Sequence, residues 1–202
     1  MQTAVTAVTL VLGTAAAFGQ EPGVRRSTIW MDAAKRGSMP VMARGKGVLT
    51  ANKTVELKIP ESQVKHVALG QTVSIDTRQS SILNGTVSHI DSSVVDGNVT
   101  VEAKLDGDLP PATHPGLAVD GTIQITTLQD VVYVGRPVVG VAESEGTLFK
   151  LEPDGQHAAR VRVQYGQSSV NLMEVRSGLL PGDRVILSDM SAFAGQDRLR
   201  LQ

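Results

Sequence analysis

The side chains able to carry acid–base, metal or nucleophilic chemistry are few in this chain and far apart. Four histidines, His66, His89, His114 and His157, lie more than twenty residues from one another. None has a neighbouring ligand at a spacing that implies a shared metal, so they read as surface histidines. The chain has no cysteine, which removes disulfides, thiolate metal sites and cysteine nucleophiles together. A serine nucleophile on a strand-to-helix turn would need Gly-x-Ser-x-Gly, and no such string occurs. The glycines of Ala43-Arg44-Gly45-Lys46-Gly47 superficially suggest an anion-binding loop, but no helix-forming stretch follows to supply a dipole. A strand bulge or barrel corner is expected there instead. The closest carboxylate pair, Asp106 and Asp108, sits in a Gly-Asp-Leu-Pro-Pro turn and reads as solvated. Trp30 and Phe149 could form a ligand patch, yet buried anchors of small β modules are the expected outcome. No catalytic residue, metal or cofactor is therefore expected, and the chain does not read as an enzyme.

The elements that hold these residues read as strands. From Thr54 the alternation is clean, with Val55, Leu57 and Ile59 on one face and Glu56 and Lys58 on the other. The same register recurs at Val73 and Ile75, at Val99 to Leu105, at Val119 to Ile125, and at Val161, Val163 and Tyr165. Asp96-Gly97 and Pro153-Asp154-Gly155 fall between apolar runs and predict hairpins. One short helix is expected over Pro60 to Val67, with Glu61 at its positive end and Gly70 stopping it. Aromatics are only 3% of the 202 residues, so the cores must be aliphatic and largely β-branched, which favours sheet. Net charge is −1 with both signs interspersed, so nucleic acid is not an expected partner.

The uncharged run from Ala4 to Phe18, with Ala17 and Gly19 before Gln20, predicts a signal peptide or anchor over residues 1–19. Glu21 to Arg26 reads as a linker, with order beginning near Ser27. A boundary is expected at Thr127 to Asp130, where one strand ends and Val131 to Val134 opens a second module. The predicted fold is thus all-β, a small barrel module over 53–127 followed by a second β-rich module over 128–202, with residues 20–52 contributing linker and first strands.

The segment Val55 to Thr77, VELKIPESQVKHVALGQTVSIDT, resembles the barrel entry of HlyD-type periplasmic adaptors (membrane fusion proteins) of efflux and export pumps. There a strand ends in a Pro-Glu-Ser step, here Pro60 and Glu61, a short helix follows, and Gly70-Gln71 opens the next strand. Gly85 to Ile90 and Pro115-Gly116-Leu117 follow the order of the same barrel. Gly178 to Asp189, with Pro181, Gly182 and Asp183 at its turn, is similar to the membrane-proximal domain. Where that family carries a lipoyl-like domain split by an α-helical hairpin, this chain has only Ala51 and Asn52 between Thr50 and Lys53.

The resemblance implies a non-catalytic periplasmic or envelope subunit docking on an inner-membrane transporter permease, of the macrolide-exporter ABC type or a proton-driven pump. It implies no cofactor and no reach to an outer-membrane channel, which the missing hairpin would supply. Full-length adaptors or further copies of the chain are the other expected partners. In that family the first strand after the anchor, here Thr28 to Arg36, returns to the membrane-proximal domain. The competing reading is a free-standing secreted β-module that binds a small ligand or glycan. Such a module would expose an aromatic platform, which two Tyr, three Phe and one Trp supply poorly.

Overall fold

A computed structural model describes residues 21–78, 81–111 and 113–202; the expected leader lies outside them. In chain order the strands are β1 (Gly23–Val24), β2 (Met31–Ala33), β3 (Lys35–Leu49) and β4 (Thr54–Pro60), followed by helix α1 (Glu61–Val64). Then come β5 (Thr72–Asp76), β6 (Ile82–Val95), β7 (Asn98–Leu105) and β8 (Ala118–Gly135). The last five are β9 (Glu145–Leu151), β10 (His157–Ser168), β11 (Leu172–Ser177), β12 (Arg184–Ile186) and β13 (Arg198–Leu201). The fold is all-β, as the period-two patterning requires: in β4 and β7 alternate residues are buried and their neighbours are not.

Six strands close into a barrel in the order β3-β4-β7-β6-β5-β8, with β8 returning to β3. Its core is wholly aliphatic and includes Val55, Leu57, Ile59, Val73, Ile75, Val101 and Ile123. The β6–β7 hairpin turns at Asp96-Gly97, both at positive φ, with Val95 opposite Asn98. β3 and β4 are joined by the tight loop Ala51–Lys53, and Leu49 pairs with Val55 across it. Ala43 to Gly47 is regular strand, correcting the expected bulge or corner; register shifts occur earlier, at Gly37/Met39 and Val41/Met42. The glycines serve packing. A Cβ on Gly47 would lie 2.1 Å from the Glu56 carbonyl oxygen, and one on Gly121 would lie 2.4 Å from Leu57 Cδ2. The helix is also shorter than expected: α1 ends at Val64, and Pro60 belongs to β4 with extended ψ of 137°. It is a single turn with no fully buried residue, and only Val64, with Val67 just beyond it, leans on the barrel core, too little apolar contact to extend it.

The expected strand end at 127–130 does not exist, because β8 runs unbroken from Ala118 to Gly135. It stays paired to β3 along the way, from Val48 opposite Ala118 to Lys35 opposite Tyr133. Asp130 takes φ 54° where the register slips, so the strand bends there and continues. Beyond the bend the order β2-β12-β9-β10-β11-β8-β3 forms a second ring. It closes through the chain itself, since β2 pairs with β12 and β3 pairs with β8, with only Ala34 between them. Ala34 is pinned on both sides: its N–H donates to Asp183 at 2.8 Å and its carbonyl accepts from Gly182 at 2.8 Å. Inside lie Val134, Leu148, Val163, Tyr165, Met173, Val185 and Leu187. A third cluster, Val24, Phe149, Ala158, Ile186, Leu199 and Leu201, packs on the outside of this ring. The linker expectation for Glu21 to Arg26 is therefore corrected. Val24 is buried and β1 pairs in parallel with β13.

Candidate functional site

The residues singled out by sequence do not converge on one site. Pro60, Glu61, Gly70, Gly85 and Gly116 are spread around the barrel, whereas Gly178, Pro181, Gly182 and Asp183 lie at one turn of the second ring. Most have a local structural duty. The Glu61 N–H donates to the Gly97 carbonyl at 3.0 Å, the Gly70 N–H to Val87 at 2.9 Å, and the Gly116 N–H to Leu49 at 2.7 Å. Gly85 lies where β6 meets β7, and a Cβ there would fall 2.4 Å from the Lys104 carbonyl. Leu180 to Asp183 is a Pro-Gly turn with Gly182 at φ 94°, closed by the Asp183 N–H on the Leu180 carbonyl at 3.0 Å. The Asp183 carboxylate accepts the Leu180 N–H at 2.9 Å and pairs with Lys150 at 3.3 Å.

Two constellations escaped the sequence. The first corrects the reading of His157 as a lone surface histidine. Its Nδ1 lies 2.6 Å from Asp154 and its Nε2 3.3 Å from Glu21, while Arg198 bridges Glu21 at 2.8 Å and Glu152 at 2.7 Å. Glu152, Asp154 and His157 offer ligand atoms within 4.8 Å of one another. The signal was available in the Asp154/His157 spacing of three across a tight hairpin; Glu21 and Arg198 come from the far ends of the described chain. The hydrogen bond from His157 holds the Asp154 carboxyl down at about 2, with help from the Gln156 N–H. Arg198 already occupies the carboxylates of Glu152 and Glu21, so the cluster acts as a clamp tying β1, the β9–β10 hairpin and β13 together. His66, His89 and His114 remain exposed and apart, and so do Asp106 and Asp108.

The second constellation surrounds Trp30, which, like Phe149, is expected from the sequence to be a buried anchor. Phe149 is buried, but Trp30 is 55% exposed, because β2 starts only after it and its ring lies outside both interior clusters. Its backbone is fixed: the N–H donates to Ser188 Oγ at 2.6 Å and the carbonyl accepts from Leu187 at 2.8 Å. Trp30, Asp32, Lys35, Arg136, Val138 and Asn171 line one cleft. Gly135 forms part of its floor, where a Cβ would lie 3.2 Å from Asp32 Oδ2 and 3.6 Å from Trp30 Cζ2. Partial burial pushes the Asp32 carboxyl up, yet the N–H groups of Gly135 at 2.8 Å and Ala33 at 2.9 Å, with Lys35 at 3.4 Å, hold it below the usual carboxylate range.

No protein-family model matches the chain, and no curated protein does. Among solved structures it is similar to the crystal structure of MacA from Actinobacillus actinomycetemcomitans, at 18% identity over 67% of this chain and 42% of that one, with a TM-score of 0.45. It is also similar to the crystal structure of ZneB from Cupriavidus metallidurans, at 19% identity over 68% of this chain and 41% of that one, with a TM-score of 0.36. The chain thus spans about two fifths of the length of each.

Proposed function

We propose that this chain is a non-catalytic, adaptor-like subunit of the cell envelope that docks on an inner-membrane transporter. The observation that carries the reading is the course of the chain through the two rings. It leaves the second ring at β3, builds the whole barrel, and returns along β8, while the Gly178-to-Asp183 turn locks the second ring onto Ala34. A discontinuous second domain is what the HlyD-type resemblance implies, and a course of this kind supports the reading.

Docking would be the work of β surfaces, with no cofactor. The partner is a permease of the macrolide-exporter ABC type or a proton-driven pump, joined by a full-length adaptor or further copies of the chain. Reach sets the division of labour. A helical hairpin gains about 1.5 Å per residue on each arm, so the Ala51–Lys53 loop cannot span tens of ångströms. Contact with an outer-membrane channel would fall to a full-length partner. Crosslinking in the native envelope, followed by purification in mild detergent, should recover a permease or a full-length adaptor. A channel adduct alone would overturn the reading, and so would a protein found intact from Met1 in the cytosol.

A further inference from the structure

We propose that the Trp30 cleft binds an acidic saccharide, a pyranose ring bearing a carboxylate or phosphate. The inference goes beyond docking and holds whether or not the chain engages a permease. The cleft, at about 650 Å³, falls within the roughly 300–1,000 Å³ of ordinary ligand sites. One wall is the indole of Trp30, a flat apolar face held out in water on a backbone fixed at both its N–H and its carbonyl. Such a rigid face loses little conformational freedom when a ring stacks on it.

The other groups lining the cleft decide what stacks. Asp32 presents a carboxylate already oriented by two backbone N–H groups. Arg136 donates Nη1 to the Ser169 carbonyl at 3.2 Å, and among the described residues it has no ion-pair partner. Asn171 is exposed and contributes an amide with both donor and acceptor capacity. Lys35 lies at the rim, its side chain 55% exposed. Donors and acceptors mixed around an aromatic face match ring hydroxyls, each of which gives one hydrogen bond and accepts others. Pro137, Val138, Val170 and Leu172 complete the lining and can meet the C–H faces of a pyranose, whereas an aliphatic anchor from a protein partner would use them but leave Asp32, Arg136 and Asn171 covered and unpaired, which costs binding energy. Two cations against one carboxylate leave the cleft net positive, so a sugar carrying an anion is favoured over a neutral one.

Trp30 is the only tryptophan, so its emission reports on this cleft alone. The full chain is titrated with glucuronic acid, glucose and inorganic phosphate. Glucuronic acid should shift the emission saturably and half-saturate at about tenfold lower concentration than glucose, the value of one added charge-assisted hydrogen bond. Arg136→Ala should erase that preference, and Asn171→Ala, on an exposed residue, should weaken both sugars while leaving the melting midpoint unchanged. Calorimetry of Trp30→Leu should find no sugar binding. The same headgroup on a lipid in phosphatidylcholine vesicles separates the sources: a stronger shift there points to a glycolipid, an equal one to a soluble glycan. Phosphate matching glucuronic acid would reduce the cleft to an anion site and overturn the proposal. So would a silent titration with every sugar, or protection of Trp30 only by a crosslinked protein partner. Loss of permease crosslinks with sugar binding intact would sink the docking reading and leave this one standing.

Discussion

The barrel closes six strands and the second ring seven, but they close in different ways, and their interiors differ accordingly. In the barrel every junction between strands is a hydrogen-bonded ladder, and a single aliphatic cluster fills the inside. Its thin interior is reached by bringing backbones together, with Gly47 and Gly121 giving up a side chain so that Leu57 can fit. The second ring closes through the covalent chain at Ala34 and through a turn, and its apolar residues divide into two clusters, one inside and one outside. It spends the few aromatics of the chain, Tyr165 inside and Phe149 outside, and keeps Trp30 for the surface. One ring is sealed by packing alone. The other is sealed by packing plus a few point contacts, so single residues at those points matter more to it.

The sharpest way to break this contrast is to empty the barrel interior and, separately, to trim the outer cluster of the second ring. Leu57→Ala removes a fully buried side chain enclosed by backbone that cannot collapse, and should cost about 2–5 kcal/mol in urea unfolding. Met190→Ala, at the fringe of the outer cluster, should cost clearly less; equal costs would mean that the barrel is no better sealed than the second ring. Next comes the closing turn. Gly182→Val forces a β-branched residue into φ 94° and should cost about 1–3 kcal/mol. Open space surrounds Gly182, whereas a Cβ on Gly178, at φ 99°, would also lie 2.1 Å from the Arg162 carbonyl. Gly178→Ala should therefore lower the melting midpoint more than Gly182→Ala, and unchanged midpoints would reject the role of the turn.

Acid probes the clamp. The folded Asp154 carboxyl, at about 2, lies below its ordinary 3.8, so its contribution is present above about pH 4 and fades as pH falls through about 2. The melting difference between the wild type and Asp154→Asn should narrow over that window and stay flat above it. A difference that grows on acidification would reverse the assignment. The smallest effect is expected at the bend between the rings. Asp130→Gly relieves a left-handed φ of 54° but loses an exposed, two-point pair with Arg36, and the two should nearly offset, leaving the melting midpoint close to that of the wild type.

The strands of the barrel were legible because Val55, Leu57 and Ile59 alternate with Glu56 and Lys58, and a half-buried strand has no other way to face water and core at once. The Asp96-Gly97 hairpin and the positive φ of Gly182 were legible for an equally local reason, the turn chemistry of their own residues. What escaped was long-range. Nothing local marks Thr127 to Asp130 as mid-strand, since polar residues there pair with β3 from ninety residues upstream. Val24 looks like linker because its partner, Leu201, is at the other end of the described chain. The Trp30 cleft was hidden for the opposite reason: a lone aromatic is usually buried, and the bonds its backbone accepts from Leu187 and donates to Ser188 fix it where it is exposed.

The bond from the Arg26 N–H to the Gln202 carbonyl, at 2.9 Å, places the two ends of the described chain side by side. Tension applied between residues 21 and 202 would then load the parallel β1–β13 pair in shear, across the Arg198 and His157 clamp. The barrel, strung between β3 and β8, lies off that load path. Pulled in an optical trap, the molecule should yield first where β1 meets β13, with the barrel still folded when the second ring opens.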